Sequence, residues 1–306
     1  MPNFVTGPVE VSVPATSANL GPGYDSLGLA LDLRDVVTAE VVDSGLEIVV
    51  SGVGADEVPR DERHLVHRAM TSAFEAMGCP TPGVRLHCRN QIPHGRGLGS
   101  SSAAIVAGVC AARGLVAGGS LVMDDEAVFT LAAEIEGHPD NVAPALFGGF
   151  TIARAEDGGF HAATVAVDPR VQVVVFVPPD PVETKVARGL LPPVVPHADA
   201  AANAGRAALL VAALTRQPEL LLPATEDYLH QRYRRPAMPD SLALVEELRA
   251  DGVAAVVSGA GPTVLAFTDA ASLPALARRV PRGWAVMTPP LDPRGAVVTV
   301  LDEITE

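Results

Sequence analysis

Lysine is almost absent from this sequence, since Lys185 is the only one in 306 residues. The common P-loop ends in Gly-Lys-Ser or Gly-Lys-Thr, so that phosphate-binding motif is excluded. Aromatic residues make up only 4% of the chain, so Val, Leu, Ala and Ile must build the core. The formal net charge is −14, and the chain has no basic stripe with interleaved aromatic residues. We therefore expect no binding to nucleic acid.

Cysteines are few, and long apolar runs are missing. Cys79, Cys88 and Cys110 lie in apolar or strand-like surroundings without metal-ligand spacing, which is typical of reduced thiols. The first residues show no basic region followed by an apolar run, and no stretch of about 20 apolar residues is uninterrupted. The sequence therefore predicts a cytoplasmic protein without a membrane partner.

The most informative segment is the glycine-rich run at residues 93–103, which leads into a run of apolar helix formers. Glycines at alternate positions allow a positive φ and expose backbone amides. The helix that follows adds unpaired N–H groups and the positive end of its dipole, which together favour a phosphate. The spacing does not fit the dinucleotide-binding fingerprint, and a glycine-rich linker before a buried helix is the alternative. The residues of the predicted phosphate-binding loop are Pro93, His94, Gly95, Arg96, Gly97, Leu98, Gly99, Ser100, Ser101, Ser102 and Ala103.

Other turns carry polar side chains suited to a small polar ligand. Asn19 and Asp25 flank a tight Leu-Gly-Pro-Gly reversal that can bring both to one rim, although Asx turns alone also explain such residues. Arginines in residues 184–188 and 230–234 suit carboxylate recognition through their planar guanidinium groups, although most arginines are simply solvated. A second glycine turn, residues 258–263, permits close backbone approach to a ligand or merely connects two strands.

Two glutamates, Glu134 and Glu136, close the predicted helix after residue 124. A carboxylate paired with a serine hydroxyl suits Mg²⁺, which prefers hard oxygen ligands. The two glutamates flank the apolar stripe of the helix on opposite sides, so periodicity does not choose between them. Elsewhere, the alternating segments 36–42 and 46–50 predict a β-hairpin, and residues 253–301 predict a β-α-β pattern.

Several segments resemble the motifs of the small-molecule kinases grouped as galactokinase, homoserine kinase, mevalonate kinase and phosphomevalonate kinase (GHMP). Residues 14–25 resemble the first motif, residues 93–103 its Pro-x-x-x-Gly-Leu-Gly-Ser-Ser phosphate loop, and residues 258–263 the third motif. The run Glu-Gly-His-Pro-Asp-Asn at 136–141 and the Tyr-Arg pair at 233–234 are similar to the homoserine kinases in particular. The resemblance covers nearly the whole chain.

The resemblance implies phosphorylation of the side-chain hydroxyl of L-homoserine by ATP, giving O-phospho-L-homoserine for threonine synthesis, with Mg²⁺ as cofactor. Another GHMP kinase, such as a mevalonate-type enzyme, and a non-catalytic nucleotide-binding relative are the alternatives. The implied metal ligands are Ser101 and Glu134, and no side chain is expected to be an indispensable general base. The implied catalytic residues are Asn19, Asp25 and Asn141. The implied substrate-binding residues are Asn19, Asp25, His138, Asn141, Thr184, Arg188, Arg234 and Gly261.

The resemblance also implies an α+β fold of two domains. Residues 1–160 would form an ATP-binding domain like domain 2 of ribosomal protein S5, and residues 161–306 a ferredoxin-like domain. The active site is expected in the cleft between them. Small molecules are the expected partners, and a homodimer is expected from the family.

Overall fold

The computed structural model describes residues 3–156 and 159–301, whose strands form one sheet of seven strands and one of four. The strands are β1 (Val9–Ala18), β2 (Leu27–Val42), β3 (Leu46–Gly52), β4 (Gly83–Asn90), β5 (Phe150–Glu156), β6 (Gly159–Val165), β7 (Gln172–Val177), β8 (Ala255–Val257), β9 (Val264–Thr268), β10 (Ala285–Met287) and β11 (Val297–Val300). The helices are α1 (Leu65–Ala76), α2 (Ser100–Leu115), α3 (Gly119–Val122), α4 (Asp125–Glu136), α5 (Val142–Phe147), α6 (Thr184–Gly189), α7 (His197–Thr215), α8 (Leu221–Ala224), α9 (Pro239–Ala250) and α10 (Leu273–Leu276). Short 3₁₀ helices span Pro218–Leu220 and Gln231–Ala237. These elements confirm the predicted α+β fold class.

The first sheet has the strand order β11-β1-β2-β4-β3, and β5 pairs with both β2 and β6. The predicted hairpin of residues 36–42 and 46–50 is wrong, because β4 lies between β2 and β3 and pairs in parallel with β3. The turn at 43–45 passes closely over the start of β4, where a Cβ on Gly83 would lie 2.6 Å from the Cα of Ser44. Two short strands joined by a turn look like a hairpin whether or not a third strand enters between them.

Helix α2 is the buried centre of the first domain, as its apolar sequence predicts. Eleven of its residues are buried, and it packs against α1, α4 and β1. Its approach to α1 is close, because a Cβ on Gly108 would collide with the carbonyl oxygen of Val66. Burial on all sides fixes the position of the helix N-terminus, where the glycine-rich segment ends.

The second sheet is antiparallel with the order β10-β7-β9-β8. Helices α6 to α9 connect β7 to β8, and α10 connects β9 to β10. This β-α-β-β-α-β arrangement confirms the predicted ferredoxin-like domain.

The sheets do not coincide with the predicted segments 1–160 and 161–306. Residue 160 falls inside β6, which pairs with β5 in the first sheet. Strand β11 then returns the chain to the first sheet, where it pairs with β1. The segments that cross between the sheets are therefore residues 166–171 and 288–296. In the part of the chain that the structure describes, no helix is both long and apolar enough to cross a membrane.

Candidate active site

A cavity of about 240 Å³ lies where the glycine-rich loop meets the second domain. It brings together these predicted site residues from five separate segments: Asn19, Gly95, Gly97, Gly99, Ser100, Ser101, His138, Asn141, Thr184, Arg188 and Arg234. Glu136, the alternative to Glu134 as a metal ligand, also lines it, together with four residues that were not predicted as ligands: Asp140, Val182, Gly259 and Ala260. Predicted site residues outside its lining are Asp25, Pro93, His94, Arg96, Leu98, Ser102, Ala103, Glu134 and Gly261.

The glycine-rich loop adopts the backbone conformation that the sequence predicts. Gly97 and Gly99 have φ values of 75° and 69°, and Gly99 is the N-cap of α2. A Cβ on Gly97 would collide with the carbonyl oxygen of Ser258, and one on Gly99 with the hydroxyl of Thr16. The first N–H groups of α2 have no acceptor within the helix. The loop and helix end therefore offer backbone donors to an anion in the cavity.

The serines at the start of α2 face Glu136. The hydroxyls of Ser101 and Ser102 donate to Glu136 Oε1 at 2.6 and 2.8 Å. Glu134 lines a different cavity, beside His161. Residues two apart on a helix project about 200° apart, so the two glutamates lie on opposite sides of α4. The structure corrects the pairing of Ser101 with Glu134: its partner is Glu136.

The N-terminal turn forms an internal ion pair with α6. Asn19 has a φ of 66°, donates from Nδ2 to the Gly259 carbonyl at 2.9 Å, and accepts from the Asp25 amide at 2.9 Å. Both carboxylate oxygens of Asp25 accept from Arg188, at 2.7 and 3.1 Å. Arg188 also donates to the hydroxyl of Tyr24 at 2.9 Å. Asp25 therefore reaches the cavity through Arg188, which lines it.

Arg234 is a buried cation that forms no salt bridge within residues 3–156 and 159–301. Its side chain lines the cavity although the residue is only 1% exposed. Its Nη1 donates to the Gly259 carbonyl at 2.9 Å, and its Nε has no hydrogen-bond partner. Burial lowers the pKa of Arg234, and the charge of Arg188 lowers it further. Even so, a guanidinium does not lose its proton in a protein, so Arg234 places a positive charge at this end of the cavity.

The loop after α4 places two polar side chains at the cavity. His138 Nδ1 lies 2.8 Å from Asp140 Oδ1. Burial alone would lower the pKa of His138, but the hydrogen bond and charge of Asp140 outweigh burial and raise it. The Oδ1 of Asn141 accepts from the Thr16 hydroxyl at 2.8 Å, which leaves its Nδ2 as a donor.

A second cavity of about 350 Å³ adjoins the first at Gly95. The predicted residues Pro93, His94 and Arg96 line it, together with Val53, Gly54, Glu57 and Pro181. No motif marks the segment near residue 54 in the sequence. The Arg96 guanidinium donates to the carbonyls of Pro178 and Pro179, so it joins the loop to the second domain.

The remaining predicted residues lie in the core or in a closely packed turn. Leu98 and Ala103 are buried in the core of the first domain. Gly261 does not line the cavity, and its role as a substrate contact stays a prediction. A Cβ at Gly261 would lie 2.5 Å from Met238 Sδ, so this glycine allows the second glycine turn to pack closely.

Comparisons with known proteins identify relatives that cover nearly the whole chain. Residues 64–149 match the model of the GHMP kinases N terminal domain, and residues 200–286 match that of the GHMP kinases C terminal domain. A homoserine kinase of Streptomyces avermitilis is 59% identical over 98% of each chain. A homoserine kinase of Clavibacter michiganensis is 52% identical over 96% of this chain and 95% of its own. The crystal structure of homoserine kinase from Cytophaga hutchinsonii has a TM-score of 0.84 and 27% identity, covering 96% of this chain and 98% of its own.

Proposed function

We propose the following residue roles from the premise that this chain belongs to the homoserine kinases of the GHMP kinase family. It is an enzyme that transfers a phosphoryl group from ATP to the side-chain hydroxyl of L-homoserine, giving O-phospho-L-homoserine and ADP. The observation that carries the roles is the buried Arg234, which forms no salt bridge with any described residue and lines the same cavity as the glycine-rich loop.

The amino-acid end of homoserine binds to the charged groups of the cavity. Its α-carboxylate pairs with Arg234 and Arg188, since a planar guanidinium is suited to a carboxylate. Its α-ammonium group pairs with Asp25, which Arg188 holds in the ligand-free structure. Binding of the zwitterion thereby replaces the Asp25–Arg188 ion pair with one pair between Asp25 and the ammonium group and one between Arg188 and the carboxylate. The carboxylate also gives Arg234 a counterion.

The acceptor hydroxyl is oriented by Asn141. Because Thr16 occupies the Oδ1 of Asn141, its Nδ2 is the atom that can donate to the substrate hydroxyl oxygen. Asn19 lines the same cavity, but its amide group already bonds to Gly259 and Asp25, so it shapes the site. Phosphoryl transfer passes through a loose transition state, so positioning and electrostatics supply most of the acceleration. No side chain is assigned as an indispensable proton acceptor.

The nucleotide extends from the first cavity into the second. Its phosphates bind at the loop amides and at the N-terminus of α2, where the helix dipole favours negative charge. The adenosine end occupies the adjoining cavity lined by Val53, Gly54 and Pro181. Gly95 lines both cavities, so the loop lies between the two ends of the nucleotide.

The residues present fit a magnesium ion. Glu136 and the hydroxyls of Ser101 and Ser102 form a cluster of hard oxygen donors at the phosphate-binding end of α2. Mg²⁺ is commonly bound by one or two protein oxygens together with phosphates and water. When bound, it neutralises the negative charge of the polyphosphate. Glu136, Ser101 and Ser102 are the residues that would hold it.

The test is ADP release measured over a panel of candidate acceptors: L-homoserine, L-serine, L-threonine, mevalonate and galactose. Homoserine should give a kcat/KM several orders of magnitude above the others, because it alone combines the zwitterion with a hydroxyl at the correct distance. Turnover of mevalonate at a comparable rate would contradict the amino-acid assignment. Binding of ATP without transfer to any alcohol would favour a non-catalytic relative.

A further inference from the structure

Tyr24 lies between the two arginines of the amino-acid site. The Arg188 guanidinium carbon is 5.7 Å from the centre of the Tyr24 ring, and that of Arg234 is 5.9 Å away. The ring of His230 packs against it at 5.4 Å and is itself fixed by a 2.7 Å contact with the Gly21 carbonyl. These contacts hold the Tyr24 side chain in place, and Tyr24 does not line the cavity.

The Tyr24 hydroxyl supplies Arg188 with an acceptor that the substrate does not take away. Arg188 has three acceptor atoms in the ligand-free structure, the two Asp25 oxygens and the Tyr24 hydroxyl. When Asp25 turns to a substrate ammonium group, the phenol oxygen is the acceptor that remains. Burial and the nearby Asp25 raise the pKa of Tyr24, so the phenol is neutral and does not compete with a carboxylate for the guanidinium charge.

The ring has a separate effect on Arg234. Two cations in one small site repel each other, and the charge of Arg188 already lowers the pKa of Arg234. The negative face of an aromatic ring attracts a guanidinium within about 6 Å. The ring therefore stabilises two like charges that the cavity needs close together for one carboxylate.

We propose that Tyr24 is a positioning residue for the amino-acid substrate. Its hydroxyl orients Arg188 toward the substrate carboxylate, and its ring holds the two guanidinium groups in the same site. This inference rests on the proposed function, because the carboxylate that Arg188 and Arg234 bind is that of homoserine.

The first test is the substitution Tyr24→Phe, which keeps the ring and removes the hydroxyl. The KM for homoserine should rise about tenfold, as expected for loss of one hydrogen bond to a charged group. The kcat and the KM for ATP should stay within about twofold of the original, because neither depends on the orientation of Arg188. The matched control is Tyr233→Phe, since Tyr233 accepts from the exposed Arg232 at 2.7 Å outside the cavity and should change none of the three constants.

A double-mutant cycle separates positioning from general damage. In an Arg188→Gln background, Tyr24→Phe should leave kcat/KM for homoserine unchanged within about twofold, because its effect passes through Arg188. An equal loss in both backgrounds, or an unchanged homoserine KM in the single variant, would overturn the proposal. The original enzyme is measured beside the variants. If it fails to phosphorylate homoserine, the proposed function is wrong, whereas an active enzyme with an unaffected Tyr24→Phe variant refutes only the role of Tyr24.

Discussion

Replacing Arg234 with methionine should stabilise the ligand-free protein while weakening homoserine binding. Arg234 is 1% exposed, and among the residues that the structure describes it has neither an acidic partner nor an acceptor for its Nε. Its one hydrogen bond goes to the Gly259 carbonyl, which also accepts from Asn19 at 2.9 Å. The substitution therefore removes a poorly compensated buried charge, and the Gly259 carbonyl keeps its hydrogen bond from Asn19. Stability and substrate affinity should change in opposite directions.

The expected magnitudes follow from these contacts. Replacing buried ionic groups by apolar side chains of similar volume stabilises proteins by about 1–4 kcal/mol, and the hydrogen bond lost here opposes that by about 1 kcal/mol. We expect the free energy of unfolding to stay the same or to rise by up to about 3 kcal/mol. On binding, loss of a charge-assisted pair with the carboxylate costs about 1.5–3 kcal/mol. That cost corresponds to a KM for homoserine roughly 10- to 150-fold higher.

The measurements are urea unfolding without ligand and steady-state kinetics at saturating ATP. Arg235→Met is the matched control, because Arg235 is the next residue, is exposed and pairs with Glu246. It should change neither the free energy of unfolding by more than about 0.5 kcal/mol nor the homoserine KM. An Arg234→Met protein that is less stable than the original and keeps its homoserine KM would refute the reasoning.

Three further predictions concern the loop, the metal ligands and pH. Gly97→Ala should cost about 1–3 kcal/mol of stability and abolish ATP binding in titrations, because its Cβ would collide with a carbonyl of the second glycine turn. Glu136→Gln should lower activity or magnesium affinity about 10- to 100-fold, whereas Glu134→Gln should leave the magnesium titration of the rate unchanged. Because folding raises the pKa of His138, its pairing with Asp140 contributes stability fully below the unfolded pKa of about 6.5, and this contribution is lost as pH rises through the folded pKa. Asp140→Asn should lower the pKa of His138 observed by NMR. It should also reduce the change in the free energy of unfolding with pH between the unfolded and folded pKa values of His138. An unchanged pKa would contradict the pairing.

The sequence predicted which segments meet at the site better than it predicted which side chains of those segments pair with one another. Turn residues and helix ends carry local signals, so the loop, the N-terminal turn and the motif near His138 were recognisable. The choice between Glu134 and Glu136 depends on how α4 is rotated against α2, and apolar periodicity did not decide it. The pairing of Asp25 with Arg188 joins residues 163 positions apart. No local pattern indicates that these two residues neutralise each other before substrate binds.

The sequence did not indicate which strands are neighbours in the first sheet, for a related reason. Residues 36–42 and 46–50 alternate as a hairpin would, but pairing is decided by where α1 returns the chain, and β4 enters between the two strands. The return of β11 to the first sheet is likewise a long-range event, since it pairs residues 297–300 with residues 9–12. Local propensity predicts the strands, whereas tertiary packing decides their neighbours.

The proposed phosphate site is a product of contact between the domains rather than of the glycine-rich loop alone. The carbonyl of Gly97 accepts from a serine hydroxyl of the second glycine turn at 2.6 Å, and the carbonyl of Arg96 from a threonine amide of that turn at 3.2 Å. The carbonyl of Gly95 accepts from the Val182 amide at 3.1 Å. These bonds compensate the negative ends of three consecutive loop peptides and hold their planes in place. In a chain of net charge −14, whose overall field repels a polyphosphate, such local ordering of donors is what makes the site attractive to an anion without a lysine.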